Sequence, residues 1–248
     1  MSSSVSRAMA KIAPNWMKEA LRGSLYWAIP YTISQLVDRL VRPKTYRLLR
    51  DFEPHCRRYG CIFVHVPRTA GTSFHKALFD GPKPGGHQPA WHYRMVFDRQ
   101  EFEELYKFSI VRNPWDRLVS TFFFLKNGGM REEDRLWAEE HLSAYDSFDE
   151  FVRGWLRPGR LDAYTHFRPQ SYYLVNPRGK LEVDYVGRFE ELQRAFGEVK
   201  AALGLAGSLP HRNEAPRRRD YREYYSDRAA EIVRDVYARD IEMLGYEF

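Results

Sequence analysis

The sequence predicts an α/β fold: a mainly parallel central sheet flanked by helices, with strand-to-helix turns of the kind that hold phosphate. Three observations predict it. Short apolar runs of strand length recur along the chain, helix-like stretches alternate with them, and two of the runs end in polar turns suited to anions. Such alternation belongs to parallel sheets with helices on both faces, and in these sheets ligands bind beyond the carboxyl ends of the strands.

The elements follow in order. Residues 1 to about 50 read as a basic, helical N-terminal extension whose helices are bounded by Pro14, Pro30 and Pro43. A catalytic domain is expected over residues 51–248. Its first strand is Cys61-Ile62-Phe63-Val64-His65-Val66, β-branched and nearly continuous in apolar residues, as expected of a strand buried on both faces and stopped by Pro67. The second is Phe108-Ser109-Ile110-Val111, ended by Arg112-Asn113-Pro114. In the third, Val183 to Gly187, the alternation and closing glycine suggest a strand running into a turn. Helices are expected over Thr72–Phe79, Arg99–Leu105, Trp115–Lys126, Phe148–Trp155, Phe189–Leu203 and Arg228–Leu244.

Composition sets the outer bounds. A chain of 248 residues, 44% hydrophobic and 15% aromatic, holds one sizeable core. Lys and Arg exceed Asp and Glu by 39 to 33, a formal charge of +6 that favours anionic ligands without naming one. The two cysteines, Cys56 and Cys61, read as isolated thiols rather than a disulfide or zinc framework, and a reducing, cytoplasmic setting fits them. The start lacks the layout of a secretory signal, and the apolar stretch from Leu25 to Val37 is broken by Pro30, Thr32, Ser34 and Gln35. Residues 18–50 mix aromatic and aliphatic residues with cations. They are expected to pack on the catalytic domain, with peripheral membrane association or an oligomer contact as the other readings.

Two turns carry the chemistry. Val64-His65-Val66-Pro67-Arg68-Thr69-Ala70-Gly71-Thr72-Ser73 runs from a strand through small residues into a helix. Such a turn aims backbone N–H groups at an anion and adds the helix dipole. Gly71 leaves room for close approach, Thr69, Thr72 and Ser73 offer hydroxyls, and Arg68 offers a forked cation. The Walker A spacing and its lysine are missing, and no acid at the tip of the second strand stands ready for magnesium. In the second turn, Arg112 at the strand tip and Ser120 two turns into the next helix point to a second phosphate. Two anion sites in adjacent turns imply one ligand phosphorylated at two positions.

These turns resemble those of the sulfotransferases that use 3′-phosphoadenosine 5′-phosphosulfate (PAPS), in particular the bacterial and Golgi carbohydrate group, over roughly residues 60–248. His166-Phe167-Arg168-Pro169-Gln170, Val186 to Leu192 and the tail from Leu209 to Tyr225 extend the resemblance. It implies that Val66–Ser73 binds the 5′-phosphosulfate and Arg112–Ser120 the 3′-phosphate. It further implies that Arg188 and Phe189 lie near the adenine, and that the loop with Arg217 and Arg218 contacts the nucleotide. Arg68 stands where the group commonly has lysine; it keeps the charge but is wider and planar. The implied reaction is in-line transfer of a sulfuryl group to a hydroxyl on a carbohydrate or glycolipid, with no metal and no nucleic-acid partner.

A base is needed, and histidine titrates in the right range. The resemblance favours His87 over His92, both on the loop between the two turns. His65 is expected in the core, His75 toward solvent and His166 in packing or at the acceptor site. Trp115 is expected in the core, and Asp116 with Arg117 in a local ion pair. The competing functions are a Mg²⁺-dependent small-molecule kinase with a degenerate phosphate loop and a basic polyanion- or membrane-binding module.

Overall fold

A computed structural model describes residues 31–79, 86–206, 208 and 220–248. Two helices open it: α1 (Tyr31–Val41) and α2 (Pro43–Tyr59). Pro43 sits at the first turn of α2, where its missing N–H costs nothing, and Gly60 closes that helix in the left-handed conformation (φ 63°). Alternating with strands β1 (Cys61–Val64), β2 (Tyr106–Val111) and β3 (Tyr185–Arg188) come α3 (Gly71–Leu78), α4 (Arg99–Glu104), α5 (Pro114–Lys126), α6 (Glu132–Leu142), α7 (Phe148–Trp155), α8 (Gln170–Leu174), α9 (Leu192–Leu203), α10 (Asp227–Val236) and α11 (Ala238–Leu244). The α/β reading holds. Among the described residues the sheet has three parallel strands in the order β1-β2-β3, with Phe63 beside Phe108 and Phe108 beside Tyr185.

Both faces of β1 and β2 are buried, which explains their unbroken apolar runs, while β3 is half-buried at the edge. Ile62, Val64, Val66 and Val111 join one core with Met95, Phe97, Tyr173 and Leu174. Cys61, Phe63, Phe108 and Ile110 face the other way, onto Phe74, Phe196 and Val199. A third core, of Trp115, Phe122, Trp137, Phe151, Trp155, Phe167 and Val233, joins α5 to the helices around it. The single cationic residue inside β2, Lys107, is buried because its ammonium closes the end of α4, donating to the carbonyls of Phe102 (3.0 Å) and Leu105 (2.6 Å).

Several expectations need correction. Gly187 does not end β3 in a turn: the strand continues to Arg188, and a Cβ at Gly187 would stand 2.7 Å from Ala195 Cβ and 2.8 Å from Ile110 Cδ1. The glycine lets α9 lie against the sheet. The long C-terminal helix is two, α10 and α11, separated at Tyr237. His75 is buried rather than solvent-facing, because α3 turns that side toward α2, where His75 stacks on His55 at 5.2 Å. Cys56 and Cys61 are both free thiols, buried, each with its pKa pushed up to about 12 by desolvation.

Candidate functional site

The carboxyl ends of β1 and β2 open on one cleft of about 810 Å³. Between Val64 and α3 the chain makes a tight turn in which Arg68 (φ 69°) and Ala70 (φ 61°) both take the left-handed conformation, unusual for residues with a Cβ. Ala70 is the residue preceding α3, so the first N–H groups of that helix emerge from the turn toward the cleft. Ala70, Gly71, Thr72 and Ser73 all line it. Thr69 is the exception: its hydroxyl turns inward and donates to the Val66 carbonyl at 2.9 Å, so it braces the turn. Gly71 is demanded by the protein itself, since a Cβ there would lie 1.9 Å from the His65 ring.

The second turn is tied to the first by its arginines. Arg68 Nε and Nη2 donate to Ser120 Oγ at 3.2 and 3.1 Å, and the guanidinium lies 4.2 Å over the Phe124 ring. Arg112 Nη1 donates to the Arg68 carbonyl at 3.1 Å, Nε to Asp116 at 2.5 Å, and its guanidinium lies 4.0 Å over Phe189. Asp116 therefore pairs with Arg112, four residues back, and not with Arg117, since adjacent helical residues point apart. Arg117 is buried and donates to the carbonyls of His166 (3.2 Å) and Arg168 (2.7 Å). Gln170 braces the strand tip, accepting from the Arg112 N–H at 2.9 Å and donating to its carbonyl at 2.7 Å.

The helix that carries Ser120 is fixed at its start. Asn113 caps α5, its Oδ1 accepting from Trp115 N–H at 3.0 Å, while its Nδ2 donates to the Glu247 carbonyl at 2.8 Å and its own N–H to Glu190 at 2.7 Å. Trp115 is core, donating from Nε1 to the Ala230 carbonyl at 3.0 Å. One turn after Ser120, Phe123 and Phe124 turn toward the cleft, and Tyr224 packs on Phe123 at 5.1 Å.

Among the described residues three histidines line the cleft: His65, His87 and His166. His87 Nδ1 lies 2.9 Å from the His65 carbonyl oxygen. A carbonyl only accepts, so Nδ1 carries the proton, and in the neutral ring Nε2 carries the lone pair. The His65 ring lies 4.4 Å from that of His87, so His65 is at the site's edge as well as in the core. The His166 ring is 5.8 Å from that of His87 and 5.1 Å from Phe124. Burial drives the pKa of His166 down to about 3, with the nearby His87 and Arg68 adding to the fall and Asp134 opposing it. His166 is thus neutral near pH 7, and its 3.7 Å approach to Asp134 is not an ion pair. Asp134 is held by the Tyr164 hydroxyl and the N–H groups of Met130 (2.9 Å) and Arg131 (3.1 Å).

Not every expected residue meets here. His92 is buried away from the cleft, its Nδ1 3.0 Å from Gln88 Oε1, and its pKa is well below the ordinary value because of burial and then the nearby Arg42 and Arg168. Phe189 lines the cleft; Arg188 opens on a neighbouring recess, donating to the Leu244 carbonyl at 2.7 Å and lying 4.6 Å over Tyr246. Arg217 and Arg218 lie outside the described residues. Phe124, Gln170 and the Asp134–His166 pair were missed by sequence reasoning. Phe124 follows Ser120 by four residues and so shares its helical face, and Gln170 ends the His166–Gln170 stretch; no signal linked Asp134 to His166.

Among known proteins, an uncharacterised protein of Archaeoglobus fulgidus is 27% identical over 136 residues, 54% of this chain and 98% of that protein. No solved structure matches. The sequence profile of the sulfotransferase family matches residues 55–247, which contain both turns, the histidine loop and strands β1, β2 and β3. The chain belongs to the sulfotransferase family.

Proposed function

We propose that this protein transfers a sulfuryl group from PAPS to a saccharide hydroxyl, on a glycan or a glycolipid, with His87 as the base. One observation carries the reading: the turns after β1 and β2 share a single cleft, with Arg68 of one bonded to Ser120 of the other at 3.1 Å. A single ligand can therefore touch both. The donor set fits a nucleotide with 3′- and 5′-phosphates: two guanidiniums, the hydroxyls of Thr72, Ser73 and Ser120, and the N–H groups at the start of α3. When bound, PAPS supplies an activated sulfuryl group whose S–O bond to phosphate breaks as the acceptor oxygen bonds to sulfur.

The chain's own residues supply position and charge. The α3 amides and Arg68 neutralise the leaving phosphate, while Arg112 and Ser120 hold the 3′-phosphate, fixing the line of attack. His87, kept in the Nδ1–H tautomer by the His65 carbonyl, takes the acceptor proton at Nε2. Phe123, Phe124 and Tyr224 give the cleft an aromatic wall of the kind on which sugar faces pack. The two acids at the second turn are both engaged, Asp116 by Arg112 and Glu190 by the Asn113 N–H, an arrangement that favours this reading over a magnesium-dependent kinase.

The test is incubation with radiolabelled PAPS and desulfated glycans, glycolipids and small phenols, with chelator and with added Mg²⁺. Label on a saccharide in the presence of chelator supports the proposal. Phosphate transfer from ATP that depends on Mg²⁺, with no sulfuryl transfer, overturns it.

A further inference from the structure

Helix α1 is docked with its polar side inward. Ser34 and Asp38 are only 4% and 1% exposed, whereas Ile33, Leu36 and Leu40 are 50%, 57% and 44% exposed. The helix is held by polar bonds to the segment after the His87 loop. Gln35 Nε2 donates to the carbonyls of Arg94 (2.7 Å) and Phe97 (2.5 Å), and Arg39 Nε to that of Met95 (2.9 Å). Asp38 is paired with Arg42. A surface helix ordinarily buries its aliphatic stripe and wets its polar one; α1 does the reverse. Ile33, Leu36 and Leu40, at spacings of three and four, form one outward strip, while Val37 and Val41 are half-buried. Next in the chain, the first turns of α2 expose Lys44, Arg47 and Arg50, none paired with a carboxylate among the described residues.

The chemistry of this surface selects its occupant. A second copy related by a twofold axis would bring a second set of the same cations into one interface. Residues 1–30 carry Arg7, Lys11, Lys18 and Arg22 against the single acid Glu19, so they too repel that row. An anionic lipid surface meets both features, taking aliphatic side chains below its headgroups and cations at their level. The same upstream stretch holds Trp16, Tyr26 and Trp27, residue types at home in that interface. No helix among the described residues is long and apolar enough to cross a membrane.

We propose that α1 and the start of α2 form a peripheral docking surface for anionic lipid, with Ile33, Leu36 and Leu40 inserted and Lys44, Arg47 and Arg50 at the headgroups. The test is co-sedimentation of the full chain with phosphatidylcholine vesicles, with and without phosphatidylglycerol. Binding is expected with the anionic lipid and should fall with salt. Ile33→Ser/Leu36→Ser/Leu40→Ser should weaken it by at least about tenfold, and Lys44→Gln, Arg47→Gln and Arg50→Gln by about fivefold each. No binding to anionic vesicles, or binding that the aliphatic triple variant leaves unchanged, overturns the proposal. So does a triple variant that converts an oligomer to a monomer in light scattering, which would assign the strip to a second copy. An unchanged thermal midpoint and unchanged affinity for adenosine 3′,5′-bisphosphate confirm that the variants are folded. Because the readout is lipid binding, its failure is distinct from a failure of the sulfuryl-transfer reading.

Discussion

His87 Nδ1 is hydrogen-bonded to the carbonyl of the residue whose ring also touches it, and the proposed role as base uses the other ring nitrogen. Removing the imidazole by His87→Ala should lower kcat by about 10²–10⁴-fold, the usual worth of a positioned base, and leave the affinity for adenosine 3′,5′-bisphosphate nearly unchanged. Equal losses in kcat and nucleotide affinity would instead mean that His87 holds the donor. His166 and His92 make a separate prediction, about acid stability. In the unfolded chain both take up a proton near the ordinary histidine pKa of about 6.5. In the folded chain His166 waits until about 3, and His92 is also lowered. The unfolded state therefore binds more protons in that window, and stability falls as pH falls from about 6.5 toward 3. His166→Asn should flatten this slope in urea titrations taken across the window. An unaltered slope would show that other groups set the acid limit. His166 was visible in the sequence as part of a distinctive stretch, but its neighbour Asp134 lies 32 positions earlier, on α6, a proximity that no local pattern announces.

At the scale of elements, the two turns owe their shape to packing as much as to ligand. Gly71→Ala places a methyl group 1.9 Å from the His65 ring, which is itself packed on Phe63 and His87. The ring must move, at a cost of about 1–3 kcal/mol, and its carbonyl carries His87. A lowered urea midpoint together with a loss of kcat is expected; an unaffected protein would mean that the turn is looser than described. Asn113→Ala removes the cap of α5 and the tie to the Glu247 carbonyl, worth about 1–2 kcal/mol, and should weaken nucleotide binding by tilting Ser120. Unchanged binding and stability would show that Trp115 alone anchors the helix. These elements were legible because strand, turn and helix signals coincide at both places. The break between α10 and α11 was not, since the aliphatic period runs on through Tyr237. The orientation of α1 was not legible either: its pattern shows an aliphatic stripe but not which side meets the domain, and backbone carbonyls at Arg94, Met95 and Phe97 decided that.

In the whole molecule, the sheet brings together residues that lie 52 positions apart in the chain, Arg68 and Ser120, above the carboxyl ends of β1 and β2. The parallel order was readable from unbroken apolar runs, because burial on both faces removes the alternation that an exposed face imposes. Which histidine reached the cleft was less readable. His87 and His92 share a loop, and the 3₁₀ turn over Ala90–Met95 buries one while its flank presents the other. Whether the two turns hold one doubly phosphorylated adenosine is decided by titration calorimetry. Adenosine 3′,5′-bisphosphate should bind without metal and much more tightly than AMP or ATP, and Arg68→Ala and Arg112→Ala should each weaken it by about tenfold to a hundredfold, as for a lost charge-assisted bond. Equal affinity for AMP, or binding that survives both substitutions, would mean that the two turns do not share one nucleotide.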